Sequence, residues 1–97
     1  MESNMLTIKD RHKKAIKLYF DKYNTETISA KQLNSIEIQV SIEHLEELIN
    51  SKTDLLPSDI TFIRKSMGIT KENFINLSPQ LLLKMLEEYQ LNEPLIS

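Results

Sequence analysis

The sequence predicts an α+β fold that is mostly helical, with four to five helices and a small partial sheet. Apolar residues recur at spacings of three and four over most of the chain, which favours amphipathic helices. Residues 35–40 instead alternate strictly between polar and apolar side chains, as half-buried strands do. The 97 residues include one glycine and three prolines. That is little material for a turn-rich β architecture, and the length predicts one domain.

The first helix is predicted from Asp10 to Tyr23. Its apolar side chains fall at i, i+3, i+4 and i+7 and are expected to form one buried stripe. They are Ile16, Tyr19, Phe20 and Tyr23. The preceding segment, Met5 to Ile8, is expected to be either an edge strand or a packing contact at the helix start.

The region from Asn24 to Val40 carries the strongest strand signal. Ile36, Ile38 and Val40 would share one face of a strand, because successive side chains point to opposite faces. Residues 26–32 also have β-favouring side chains, and the pattern leaves open whether 26–32, 35–40 or both form strands. A shift of one residue would expose the apolar face, so a firm register is expected.

Two further helices have recognisable ends. Ser41 is expected to cap a helix whose buried stripe is Ile42, Leu45, Leu48 and Ile49. Pro57 is expected to open the next helix, because the first helical position needs no amide hydrogen. Gly68 is expected to end that helix in the left-handed conformation. A short helical turn is predicted over residues 71–76.

The last helix is predicted to begin with Ser78 as its cap and Pro79 as its first residue, and to run to Gln90. Its apolar side chains are again spaced as on one helix face. They are Leu82, Met85, Leu86 and Tyr89. This helix is therefore expected to lie at the centre of the core.

The composition argues against an enzyme and against a bound cofactor. Without cysteine there is no disulfide and no thiol chemistry. His44 and Glu47 have the spacing of metal ligands but are expected to be surface residues, because His12, the other histidine, lies in a lysine-rich segment. No apolar run suggests a signal peptide or a membrane span, so a cytoplasmic location is expected.

Positive charge is concentrated in the predicted first helix. Residues 9–22 carry a net charge of +4, whereas the whole chain carries −2. Such asymmetry can mark an interaction surface, although a solvated helix face has the same appearance. The candidate partner-binding residues come from this helix and from the region 52–65. They are Arg11, Lys13, Lys14, Lys17, Lys52, Arg64 and Lys65.

Taken in order, the elements resemble the arsenate reductase (ArsC)/Spx regulator family. The segments that carry the resemblance are Met5 to Ile8, Lys13 to Tyr23, Ser41 to Leu48, Thr53 to Met67, and Ser78 to Ile96 with Pro94. The resemblance implies a truncated thioredoxin-like (ArsC/Spx-like) fold in a single domain. Residues 1–40 would form a partial thioredoxin-like part, 41–91 a helical insert, and 92–97 a strand returning to the sheet.

Departures from the family pattern bear on function. The loop before the first helix lacks the family's cysteine, and Ile60 lies where the family has an arginine. Asn92 and Glu93 stand where basic residues usually precede the proline. The resemblance therefore implies that arsenate reduction is lost. It favours the Spx branch, whose members bind the C-terminal domain of the RNA polymerase α subunit without catalysis.

The leading hypothesis is a non-enzymatic Spx-like regulatory protein that modulates transcription by protein–protein contact, with RNA polymerase α as the implied partner. Lys52 stands where the family has its polymerase-contacting glycine. A homodimer that completes the sheet is also suggested, because the chain stops at Ser97 before the family's remaining strand. The alternative is a small helix-turn-helix-like DNA-binding regulator using residues 58–90. A third reading is a degenerate arsenate-reductase relative with a structural or antagonist role.

Overall fold

Four helices make up the fold over residues 6–69 and 78–92, which are the residues that the computed structural model describes. They are α1 (Ile8–Tyr23), α2 (Ala30–Ser51), α3 (Pro57–Met67) and α4 (Pro79–Asn92). No strand occurs within these two ranges. The prediction of an α+β, thioredoxin-like fold with a partial sheet is therefore wrong. The predicted turn at 71–76 and the tail from residue 93, including Pro94, lie outside the described residues.

Helix α1 begins two residues before its predicted start. The Thr7 hydroxyl accepts a hydrogen bond from the Asp10 backbone N–H at 3.1 Å, which caps the helix because first-turn amides lack intrahelical partners. Asn24 ends α1 in the left-handed conformation, with φ 49°. Thr7 and Ile8 are thus the cap and first residue of a helix, and the edge strand proposed there does not form.

Helix α2 includes the segment with the strongest strand signal. It is capped by Ser29, whose hydroxyl accepts from the Gln32 N–H at 3.1 Å, and it continues through residues 35–40 for 22 residues in all. Ser41 is not a cap, because it lies buried inside α2 and its hydroxyl donates to the Glu37 carbonyl. The boundary predicted between residues 40 and 41 falls inside this continuous helix.

Alternate apolar side chains can be buried within α2 because other helices cover it on several sides. It packs against α1, α3 and α4. Alternate residues point about 200° apart around a helix, so a helix with one buried side would expose one of each pair. Ile38 and Val40 are both only 3% exposed. The weak β preference of such side chains is outweighed by burial on all these sides.

The hydrophobic core is centred on α2 and not, as predicted, on α4. Of the nine buried apolar side chains in the described residues, five belong to α2. They are Ile38, Val40, Ile42, Leu45 and Leu48. Helix α4 contributes Leu82 and Leu86, both fully buried as expected. Helices α1 and α3 each contribute one, Ile8 and Ile63.

Three predicted helix ends are confirmed. Pro57 opens α3, and Gly68 ends it with φ 71°, a conformation that costs glycine little because it has no Cβ. The Ser78 hydroxyl accepts from the Leu81 N–H at 3.2 Å, and α4 begins at Pro79. These local signals hold because each depends on the backbone within a few residues.

We expect Leu86→Ala to lower the free energy of unfolding by about 2–5 kcal/mol, because it removes a fully buried side chain and leaves a cavity. Urea denaturation followed by circular dichroism measures this change. Leu81→Ala is the matched control on the same helix, since Leu81 is 47% exposed, and its effect should stay within about 1 kcal/mol. Equal losses for the two variants would contradict the described packing of α4.

Candidate functional site

A buried polar cluster joins α1, α2 and α3. Its centre is His44 of α2, whose Nε2 lies 3.2 Å from Oδ1 of Asp59 in α3. Both side chains are only 3% exposed. Buried polar groups are costly unless they are hydrogen-bonded, so the partners of these two residues decide what the cluster does.

The contacts of His44 assign its tautomer. Its Nδ1 accepts a hydrogen bond from Nε of Arg11 in α1 at 3.1 Å. The arginine Nε can only donate, so Nδ1 of His44 carries no proton. The remaining ring proton is then on Nε2, from which it faces the Asp59 carboxylate. Each nitrogen of the imidazole therefore has one partner.

Arg11 is held from a second side. Its guanidinium forms a salt bridge with Glu47 of α2, one turn after His44. The Arg11 side chain is 18% exposed and that of Glu47 is 42% exposed. The cluster therefore runs from a partly solvated ion pair at Glu47 to a buried carboxylate at Asp59.

Asp59 uses both of its oxygens. Oδ1 faces His44, and Oδ2 accepts from the Leu56 backbone N–H at 3.0 Å, which satisfies a free amide at the start of α3. Burial alone would raise the pKa of this carboxyl. The hydrogen bonds from His44 and Leu56 outweigh burial and lower the pKa of Asp59 below its usual value.

A second polar contact ties α2 to the end of α3. The Asn34 amide donates to the Ser66 carbonyl at 2.7 Å and to Glu37 Oε1 at 3.3 Å. Carbonyls in the last turn of a helix lack intrahelical partners, so Asn34 satisfies one of them. Polar contacts thus attach α3 to α2 near both of its ends.

The contacts of the polar cluster hold α1, α2 and α3 together. Both nitrogens of His44 are occupied, and the buried hydroxyls of Ser41 and Ser66 donate to carbonyls of their own helices. Nothing in residues 6–69 and 78–92 groups three or more His, Asp or Glu side chains as a metal site would. Within the same residues, no helix is long and apolar enough to cross a membrane.

The predicted site residues divide into two groups. Lys13, Lys14, Lys17, Lys52 and Lys65 are exposed. Arg11 instead belongs to the polar cluster, and the Arg64 guanidinium donates to the Ile69 carbonyl at 3.2 Å. The two arginines therefore serve the fold, and the free positive charge belongs to the lysines.

His44 was predicted to lie on the surface, and this is wrong. Its burial could have been inferred from spacing, since it falls three residues after Ser41 and four before Leu48, which are both buried. Its partners could not, because Asp59 and Arg11 are on other helices, 15 and 33 residues away in sequence. No local pattern reports such pairings.

The predicted aromatic stripe of α1 is only partly buried. Ile16, Tyr19 and Phe20 are of intermediate exposure, and Tyr23 is 57% exposed. The Tyr19 hydroxyl donates to Gln32 Oε1 of α2 at 2.6 Å, and the Tyr19 and Tyr23 ring centroids are 4.7 Å apart. Helix α1 is therefore anchored near its start by Ile8 and Arg11 and is covered only in part towards its end.

The outer surface of α1 combines positive charge with one apolar side chain. Five lysines and two aspartates along this helix are exposed, and the five lysines form no salt bridge among the described residues. Leu18 is 60% exposed. Lys14 and Lys22 lie four residues before and after it, on the same side of the helix. We call Lys14, Leu18 and Lys22 the Leu18 ridge.

Comparison with known proteins identifies no relative. No family model matches the chain, and no curated protein and no solved structure is significantly similar to it.

We expect Asp59→Asn to lower the free energy of unfolding at pH 7 by about 1–3 kcal/mol. Asparagine has one acceptor oxygen where Asp59 uses two, so a buried donor loses its partner. Because the folded-state pKa of Asp59 is lowered, the carboxylate stabilises the fold above its unfolded-state pKa. That stabilisation is lost as the pH falls through the folded-state value.

Urea denaturation of both proteins between pH 2.5 and 7 at about one-unit steps tests this dependence. The gap between wild type and Asp59→Asn should shrink as the pH falls below the usual carboxyl range. Asp54→Asn, an exposed carboxylate in the link between α2 and α3, should change stability by about 0.5 kcal/mol or less. A gap that persists unchanged at the lowest pH would show that the charge of Asp59 is not the stabilising feature.

Proposed function

We propose that this chain is a non-enzymatic regulatory protein that binds an acidic protein surface through the Leu18 ridge of α1. The observation that carries the proposal is Leu18 itself, 60% exposed between two exposed lysines. A single exposed leucine is common on protein surfaces, so the support comes from its position among the five exposed lysines of α1, which offers a partner apolar and charged contacts together.

The combination favours a protein over a nucleic acid. A phosphate backbone offers charge to the lysines but no apolar partner for Leu18. An acidic amphipathic helix offers both, with carboxylates for Lys14 and Lys22 and an aliphatic side chain between them. Complementary charge would speed the encounter, and burial of Leu18 would supply affinity.

The outer face of α4 also bears on the DNA-binding alternative. In a helix-turn-helix protein the second helix places its exposed face in the major groove. Over residues 79–90, the exposed charged side chains of α4 are Lys84, Glu87 and Glu88. Phosphate would repel this surface, because it carries two carboxylates and only one ammonium group. The charge of α4 therefore favours the protein-binding proposal.

RNA polymerase α is the specific partner that we propose, because the resemblance to Spx regulators implies it. The support is chemical: the free lysines of α1 and exposed Lys52 and Lys65 suit an acidic protein surface. The proposal does not depend on a thioredoxin-like sheet, since the contact is made by an exposed helix face.

We expect the purified C-terminal domain of RNA polymerase α to bind this chain and Leu18→Glu to weaken that binding at least tenfold. The substitution removes the apolar contact and places a negative charge against an acidic partner. Fluorescence anisotropy with a labelled polymerase domain measures the dissociation constant. Because Leu18 is exposed, the unfolding curve of the variant should match that of wild type.

Leu81→Glu is the matched control, because it exchanges another exposed leucine, on α4, and should leave binding unchanged. Lys14→Glu combined with Lys22→Glu should weaken binding in the same way as Leu18→Glu. Absence of binding by the wild-type protein would remove the polymerase domain as partner. Tight binding to double-stranded DNA that falls steeply with salt and is lost on Lys84→Glu, in α4, would instead favour the DNA-binding alternative.

A further inference from the structure

We propose that His44 is a proton-sensitive latch: when its imidazole takes up a second proton, the hydrogen bond from Arg11 is lost and the start of α1 loosens from α2, while α3 stays attached. This inference concerns the folded chain alone and is independent of the partner proposed for the Leu18 ridge.

The geometry explains why protonation acts on one side of the ring only. In the neutral ring, Nδ1 accepts from Arg11 Nε at 3.1 Å, and Nε2 lies 3.2 Å from Asp59 Oδ1. A proton added to His44 must go to Nδ1, the nitrogen that carries a lone pair. The Arg11 Nε–H would then face another N–H, and two positive charges would lie side by side. Arg11 must move away from the imidazolium.

The opposite contact gains from the same proton. An imidazolium donating to the Asp59 carboxylate forms a charge-assisted hydrogen bond, stronger than one from a neutral ring. The lowered pKa of Asp59 favours the charged form of that carboxylate. Protonation therefore weakens the contact between α1 and α2 and strengthens the contact between α2 and α3.

The other charged groups around His44 leave this asymmetry in place. Glu47 pairs with Arg11 and gives it an alternative partner at the more solvated end of the cluster. Neighbouring Glu43 is exposed, as are the α4 residues Lys84, Glu87 and Glu88, and Tyr89 of α4 packs against the core. On α1, the ring of His12 packs edge-on against Phe62, with centroids 5.3 Å apart.

Loss of the hydrogen bond between Arg11 and His44 should affect helix α1 more than α3. In α1 only Ile8 belongs to the buried core, and Arg11 lies one turn after it. Loss of the Arg11 contact should loosen the first turns of α1, because Ala15 and the Tyr19–Gln32 hydrogen bond hold that helix further along. Helix α3 keeps Asp59, Ile63 and the Asn34 contact. Local opening of α1 should therefore increase without unfolding of the whole chain.

Two measurements on the full chain test the latch between about pH 5 and 8, the range in which histidine titrates. Nitrogen-15 NMR of the imidazoles should show the Nε2–H tautomer of His44 at high pH and a doubly protonated ring at low pH. Hydrogen exchange, corrected for the intrinsic pH dependence, should show protection of the α1 amides at residues 11–15 falling about tenfold on His44 protonation. Protection of α3 should not fall.

Two variants separate the latch from general acid loosening. Arg11→Met removes the Nε donor, so α1 should exchange rapidly at both ends of the pH range and its pH dependence should vanish. His12→Phe keeps a ring against Phe62 and removes the other histidine, so it should retain the wild-type pH dependence.

Three results would overturn the proposal. The first is an Nδ1–H tautomer of His44 at neutral pH, and the second is a His44 that stays neutral until the protein unfolds. The third is a loss of protection that is equal in α1 and α3, or absent from both, when His44 becomes protonated.

Discussion

The imidazole of His44 is the contact through which three helices are held in place. Arg11 of α1 donates to one ring nitrogen, and Asp59 of α3 faces the other. Apolar packing is non-directional and would tolerate several rotations of α1 and α3 against α2. A buried group with two fixed hydrogen-bonding positions is satisfied in few of them. The cluster therefore favours one arrangement of helices, which is a gain in specificity more than in stability.

The remainder of the fold divides by how each helix is attached to α2. Helix α4 is held by apolar side chains, with Leu82 and Leu86 fully buried. Helix α1 is held by Ile8, the polar cluster and partly exposed aromatic rings, and its outer face is basic. The helix through which we propose that a partner binds is thus also the helix that the contact between Arg11 and His44 attaches to α2.

Residues 35–40 show why a clear local pattern gave the wrong fold class. In a strand, alternate side chains lie on one face, so a half-buried strand in a sheet was the simplest structure that explains the pattern from sequence. In the structure, α1, α3 and α4 surround α2, and Ile38 and Val40 are buried on different sides of one helix. Because no sheet forms in the part of the chain that the structure describes, the thioredoxin-like architecture implied by the resemblance to Spx regulators is wrong. The proposed protein-binding role depends on the exposed face of α1 instead.

The sequence by itself determined the helix ends that depend on local backbone chemistry. Pro57, Gly68 and the Ser78 cap act within a few residues, and the buried leucines of α4 follow from their spacing. Only the tertiary structure decided that residues 30–51 form one central helix and that His44 is paired with Arg11 and Asp59. These outcomes depend on which helices come together, and the partners are too far apart in sequence for any local pattern to specify them. The polar cluster was therefore not predictable from sequence, whereas the lysines that the sequence proposed for binding are exposed.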